Sequence, residues 1–291
     1  RQMCIRDSID IKRWWFSLDE TNLEYHGLIA QVMHGHHLGE SLDQLQEKLT
    51  ADYTRYQELV KENDDLWMDL AEIEADSNFR ATLNAYKSRR PYEELLSIDG
   101  ASNGNVINKQ VMAQEIVMEL VGMAFGRWNI RYAAQPETIP PFGNVFDALP
   151  FMPVVSFQSE EAQLYPLTLP TDGILIGDDQ HPDSLVKRVQ EVMHSLWKND
   201  ADEMESELCQ LIGVDSLQTY LESPNGFFDY HFKRYTKSRR KAPIYWPVSS
   251  PEGEITLWVY YPQLSSQTLP HLLLLLSKEH TAAQSDLTAA Q

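Results

Sequence analysis

His231-Phe232-Lys233-Arg234-Tyr235-Thr236-Lys237-Ser238-Arg239-Arg240-Lys241-Ala242-Pro243-Ile244-Tyr245-Trp246-Pro247 runs from a helical pattern, through a basic run, into an aromatic strand. The helical side starts at Gly226 and ends near Tyr235. On the strand side Ile244, Trp246 and Val248 alternate with Tyr245 and Pro247, the period-two pattern of a half-buried strand. Ile255 to Tyr261 forms a second strand pattern. Between the two, Ser250-Pro251-Glu252-Gly253 has proline and glycine where a β-turn favours them. A β-hairpin is therefore predicted. Pro247 cannot donate to a ladder, so its strand lies at a sheet edge or ends early. The chain as a whole is expected to be α+β and mostly helical. It begins with a helix hairpin or bundle, continues through an irregular Pro-rich connection, and closes with a helical part that ends in the hairpin.

The basic run stands against its background. Six of the nine residues from Lys233 to Lys241 are basic, in a chain with 24 Lys and Arg, 43 Asp and Glu, and a net charge of −19. Residues 155–229, just before it, carry 15 acidic and 3 basic side chains. Such a background disfavours a protein that coats nucleic acid nonspecifically, but it leaves room for one local anion site. Two readings stand side by side: a solvated surface run, and a set of phosphate contacts made by Lys233, Arg234, Lys237, Arg239, Arg240 and Lys241, with Ser238 as a further donor. Tyr245 and Trp246 either stack on bases or fill the hairpin core. Arg127 and Arg131, around Trp128, form a second positive spot or balance an acidic surface.

At 291 residues with 43% hydrophobic content, the chain has material for about two domains with real cores. The first 17 residues are expected to be a disordered or adventitious start. Residues 18–135 are expected to form a helical domain. Within it Leu42, Leu49, Tyr53, Tyr56, Val60, Asn63, Trp67 and Leu70 make a heptad seam, read as a helix hairpin packed on its own domain or as an intermolecular coiled coil. A loop at Asp99–Asn105 precedes a mostly buried helix from Val106 to Phe125, where Gly122 and Gly126 admit another backbone or end the helix. Seven of the 15 prolines fall between Pro136 and Pro170, so residues 136–180 read as a connection with at most short strands. The part from 181 to 269 holds helices starting near Pro182, over Ala201–Ile212, Ser216–Leu221 and Gly226–Tyr235, then the hairpin. Residues 270–291 read as a loose tail.

Signals of chemistry are few. Cys4 and Cys209, far apart, fit a reducing cytoplasm and no disulfide framework. No apolar run approaches the roughly 18 residues of a membrane helix. His34-Gly35-His36-His37 invites a metal reading but lacks HExxH spacing and a visible carboxylate partner, so no metal site is assigned. Asp178-Asp179-Gln180-His181-Pro182-Asp183 is a cation loop or, more simply, a set of acids at a helix N-terminus. GxGxxG, a Walker loop, GxSxG, a zinc-type CxxC pair and Asn-Pro-Pro-Tyr are all absent from the sequence. No catalytic residue is assigned.

Gly226 to Ser250, continuing through Gly253 and Thr256-Leu257-Trp258-Val259-Tyr260-Tyr261, resembles the C-terminal region of PglX-type adenine-specific DNA methyltransferases. These are the large enzymes of BREX phage-defence systems, related to type IIG restriction–modification enzymes. Gly122-Met123-Ala124-Phe125-Gly126-Arg127-Trp128 resembles a Gly…Phe-Gly-Arg-aromatic element of that family. The resemblance spans about residues 105–268 and is weak in the helical N-terminal third. It implies a C-terminal, DNA-recognition fragment. The S-adenosylmethionine-binding domain and the Asn-Pro-Pro-Tyr motif that acts on a flipped adenine would lie upstream. No cofactor is then expected in this chain. Double-stranded DNA is the expected partner, with other phage-defence proteins besides, no membrane, and a cytoplasmic location. The rival reading is a non-catalytic protein-interaction module that uses the heptad seam and the basic patch. A third, a metal hydrolase on His34, His36 and His37, requires those imidazoles to meet a carboxylate.

Overall fold

The computed structural model describes residues 2–18, 20, 25–33, 37–70, 108–138, 165–170, 172–178, 181–237, 240–241, 243–249, 256–274, 277 and 281. They form a mostly helical α+β protein with small antiparallel sheets toward the C-terminal end. Two compact units emerge, neither continuous in sequence. The first comprises Arg1–Glu119, Arg131–Phe151 and Asp202–Gly213; the second comprises Leu120–Ile130, Met152–Ala201 and Val214–Gln291.

In the first unit α1 (Gln2–Phe16) packs on α3 (Leu38–Leu70), with the short α2 (Ile29–Val32) beside it. The expectation of a structureless start is corrected here. Lys12 lies over the Tyr56 ring, Lys48 lies over the Trp14 ring, and buried Trp15 meets Tyr53 and Tyr56. Later residues of α1 thus meet earlier residues of α3, so the pair runs antiparallel. Two adjacent tryptophans give the start an apolar payload large enough to order it. The first part of the α3 seam is used inside the chain, with Leu42 and Leu49 fully buried, while Tyr53, Tyr56, Val60 and Asn63 are half-buried. Leu45 and Leu59, off the seam, are buried too, because the helix also faces α2 and needs a wider stripe than a two-stranded coil.

Helix α4 (Lys109–Ala124) is largely apolar and is buried from Met112 onward, its Glu115 and Glu119 included, apart from Gln114, which is half-buried. Asn108 caps it, its Oδ1 accepting the Gln110 and Val111 amides at 2.9 and 3.4 Å. After α5 (Ile130–Ala134), the last helix of the first unit is α7 (Ala201–Ile212). Gln110 Nε2 donates to the Ile212 carbonyl, and Lys109 pairs with Asp43 at 2.6 Å.

The second unit is built on a three-stranded antiparallel sheet whose strands, in spatial order, are Ile174–Ile176 (β1), Thr256–Tyr260 (β5) and Tyr245–Ser249 (β4). Here β4 (Tyr245–Ser249) and β5 (Thr256–Tyr260) form the predicted hairpin, with Tyr245 opposite Tyr260 and Pro247 opposite Trp258. Strand β4 lies at the edge, where Pro247 withholds no needed donor. Strand β1 (Ile174–Ile176) comes from the Pro-rich connection and pairs Ile174 with Val259. The central strand β5 is buried from Leu257 to Tyr260. Helix α6 (Leu185–Trp197) starts three residues after Pro182. Ser184 is its N-cap, accepting the Lys187 amide, and Pro182 sits in the preceding turn. Helices α8 (Leu217–Glu222), capped by Ser216, and α9 (Phe227–Arg234) follow as the pattern predicts. Among the described residues no helix is long and apolar enough to cross a membrane. The loop at 99–105, residues 139–164 of the connection and the turn at 250–253 lie outside the described residues.

Candidate nucleic-acid interface

The turn after α4 positions the first basic residue. Gly126 has φ +75°, its amide donates to the Met123 carbonyl, and the Arg127 amide donates to the Gly122 carbonyl at 2.7 Å. This is a Schellman turn, which needs a left-handed residue that only glycine adopts without strain. Gly122 admits side chains and not the backbone its sequence suggested: a Cβ there would lie 2.3 Å from Trp128 Cδ1 and 3.3 Å from the Tyr245 hydroxyl. The turn lays Arg127 over the Trp128 ring, 4.2 Å to the centroid, and its Nη1 donates to the Tyr235 hydroxyl at 2.6 Å. Gly122–Trp128 and Gly226–Tyr261 are thus joined in space. Phe125 stacks on Tyr245 at 5.2 Å and lies 5.8 Å from Tyr260.

Helix α9 carries the chain out of that aromatic core to the basic run. Its last buried side chain is His231, flanked by Phe227, Tyr235 and Tyr245. His231 Nε2 accepts the Ile244 and Tyr245 amides at 2.9 and 3.3 Å. That imidazole ties the helix to the start of β4 and closes residues 235–243 into an excursion anchored at both ends. Accepting at Nε2 requires the proton on Nδ1, which has no hydrogen-bond partner among the described residues. Burial, helped by the charge of Arg127, pushes the His231 pKa down to about 3. It therefore adds no positive charge at neutral pH.

Within the excursion, β2 (Thr236–Lys237) and β3 (Arg240–Lys241) pair as an antiparallel ribbon, Thr236 opposite Lys241 and Lys237 opposite Arg240. The backbone alone of Lys237, Arg240 and Lys241 is described, and Ser238 and Arg239 lie outside the described residues. Lys233 is exposed and paired with Asp229 at 2.5 Å, one helical turn earlier. An exposed pair of this kind is worth only about 0.3–0.5 kcal/mol, so a phosphate competes for the lysine at small cost. Arg234 is half-buried at the end of α9. Arg131 belongs to the first unit and Arg127 to the second.

The two aromatic candidates separate. Tyr245 is fully buried, packed among Phe125, Phe227, His231 and Tyr260. This corrects the base-stacking reading for Tyr245: its ring has no free face, and it is hairpin core. Trp246, next along the edge strand, points the other way and is 43% exposed. Its Nε1 donates to the Pro243 carbonyl at 2.9 Å and its ring lies 6.1 Å from that of Phe228, which fixes it at the start of the edge strand.

Other candidates resolve differently. Asp183 Oδ1 accepts from Arg188 at 2.9 Å, so the acid before α6 is engaged by that helix. Of the histidine run, His34 and His36 lie outside the described residues. His37 Nδ1 lies 2.9 Å from Glu207 Oε1. Sequence reasoning missed a buried acidic cluster in the first unit. Glu119 of α4 is buried, and its Oε2 accepts the Leu28 and Ile29 amides at 2.8 Å each. Burial pushes its pKa up to about 7, against hydrogen bonds from Ile29, Tyr25 and Leu28, and the charge of Glu20 adds to the rise. Gly27, at φ +96°, leaves room for that carboxylate: a Cβ would lie 2.6 Å from Glu119 Oε1. The signal available in sequence was a glutamate inside an apolar helix, downstream of a glycine that precedes Leu28. No family model matches this chain, and no curated protein matches it either.

Proposed function

We propose that the chain is the DNA-engaging, C-terminal part of an adenine-N6 DNA methyltransferase of a phage-defence or restriction–modification system. The observation that carries this reading is the basic ribbon of the second unit. Thr236–Lys237 and Arg240–Lys241 form a two-stranded element clamped at both ends, and a β-ribbon is one of the two elements that the DNA major groove admits. Its register opposes Lys237 with Arg240. Like charges opposed across strands repel, and a phosphate between them relieves the repulsion. Trp246 and Lys233 flank the ribbon in sequence. The reading is further supported by the two blocks that resemble the methyltransferase family, since they pack on each other around Phe125, Tyr245 and Arg127.

In this reading S-adenosylmethionine belongs to the parent enzyme, which works on cytoplasmic DNA. This chain carries no Asn-Pro-Pro-Tyr motif, so no step of methyl transfer is assigned to its residues. The interaction-module reading is favoured by one observation, the exposed Leu264, Leu269, Leu273 and Leu274. It is weakened by another: the seam of α3 is already covered in part by α1.

Duplex binding measured against salt tests the proposal. Each lost phosphate contact lowers the log–log slope by about 0.9, so Lys237→Ala with Arg240→Ala lowers it by about 1.8 and leaves the melting curve unchanged. Unchanged slope and affinity in that double variant remove the DNA role of the ribbon.

A further inference from the structure

We infer that His37, Glu203 and Glu207 form a binding site for one divalent transition-metal ion of the zinc class. Glu203 and Glu207 are four residues apart on α7, which puts both carboxylates on one helix face. His37 immediately precedes α3 and reaches the same point from far away in sequence. Its Nδ1 lies 2.9 Å from Glu207 Oε1 and 3.5 Å from Glu203 Oε1. All three ligand atoms lie within 4.8 Å of one another.

These distances match a metal centre. Zinc bonds of about 2.0–2.2 Å in a tetrahedral site space the ligand atoms about 3.3–3.5 Å apart. Of the two measured separations, 3.5 Å meets that value and 2.9 Å, a hydrogen-bond length, falls short of it, so His37 and Glu207 must part slightly to admit an ion. One carboxylate is already held in place. Glu207 Oε2 accepts the Gly39 amide at 3.0 Å, which leaves Oε1 turned toward His37. Such outer bonds orient a ligand and restrict its motion. Glu203, with 59% of its side chain exposed, and His37, at 48%, leave the site open for entry.

The ligand chemistry narrows the ion. Calcium and magnesium prefer six or more oxygens, whereas an imidazole nitrogen suits zinc and its neighbours. Two carboxylates and a neutral imidazole balance a charge of +2. Three protein ligands leave a fourth position for water, the open arrangement of a non-structural zinc site. The ion would also clip the start of α3 to α7, and so stabilise the folded first unit by mass action.

The full chain, stripped with a chelator, is titrated with Zn2+ by calorimetry and with Co2+ by visible absorption. The expected result is one ion per chain, with the intense d–d bands of a low-coordinate cobalt site. His37→Ala and Glu203→Gln each weaken binding by more than the roughly 10–100-fold that loss of an outer partner costs. His194→Asn, on an exposed imidazole of α6, leaves it unchanged. Circular dichroism confirms that each variant folds, and if His37→Ala does not, Glu203→Gln decides. Wild-type zinc affinity in the folded variants overturns the site. So does displacement of zinc by equimolar Mg2+ or Ca2+, which would mark nonspecific attraction to an acidic surface.

Discussion

Glu119 in the first unit and His231 in the second perform the same mechanical task with opposite chemistry. Each is a buried helical side chain whose single acceptor atom takes two consecutive backbone amides from a distant segment. Glu119 holds Leu28 and Ile29; His231 holds Ile244 and Tyr245. Each thereby satisfies donors that would be costly to bury alone. The difference lies in which protonation state burial favours. A dry site disfavours charge, so it raises the carboxyl and lowers the imidazole. Glu119 rises to about 7 and His231 falls to about 3. The lesson is that a clamp of this kind links each unit's stability to pH, with a sign set by the acid or base chosen.

Linkage makes the signs explicit. The Glu119 pKa is raised on folding, so its contribution is full below the unfolded value of about 4.5 and is lost as pH rises through about 7. The His231 pKa is depressed on folding, so its contribution is full above about 6.5 and is lost as pH falls toward about 3. The first unit is expected to lose this stability as pH rises from about 4.5 to about 7, and the second as pH falls from about 6.5 toward 3.

The largest effect is expected at the imidazole. His231→Leu removes the acceptor for two amides inside the Phe227, Tyr235 and Tyr245 cluster. It should cost about 3 kcal/mol or more in urea unfolding, and should abolish the loss of second-unit stability between pH 6.5 and 4. A variant that keeps the wild-type acid profile would break the comparison. Next is Glu119→Gln, whose amide oxygen can still accept both donors. Relative to the parent it should become more favourable from pH 5 to pH 8, by up to about 3 kcal/mol, as seen by urea unfolding at both pH values. A constant difference across that range would show that the carboxyl does not titrate as its burial demands. Gly126→Ala should cost about 1–2 kcal/mol, because it strains the left-handed turn that places Arg127 and crowds Leu169. Ser184→Ala should cost about 1 kcal/mol by removing the cap of α6, and should leave both pH profiles untouched. Thermal melts resolve these last two.

Much of the frame was legible in the sequence, for reasons visible residue by residue. Alternation around Trp246 and turn chemistry after Ser249 marked the hairpin, and Pro247 marked its edge position. Gly126 marked the helix end, and Gly122 a close approach that the fold fills with the Trp128 side chain and not with another backbone. Strand β1 was hidden because three residues between Gly173 and Gly177, in a Pro-rich stretch, show no period. Helix α1 is not legible from its own residues, because what orders it is contact with α3, where Trp15 meets Tyr53 and Tyr56 and Lys48 covers Trp14. The two clamps were invisible for one shared reason. Glu119 is one acid in an otherwise apolar helical run and His231 adjoins a basic run, and neither pattern shows which backbone amides the fold brings to these side chains. Glu203 and Glu207 likewise read as an ordinary helix face until His37 arrives from elsewhere in the chain.

Hydrogen exchange with and without a short DNA duplex tests the central claim most directly, because it reports on each unit separately. The account predicts that duplex slows exchange in peptides spanning residues 227–249, around the ribbon and Trp246, and leaves those spanning 38–66 unchanged. Unchanged exchange across 227–249, or protection centred on 38–66 instead, would contradict it.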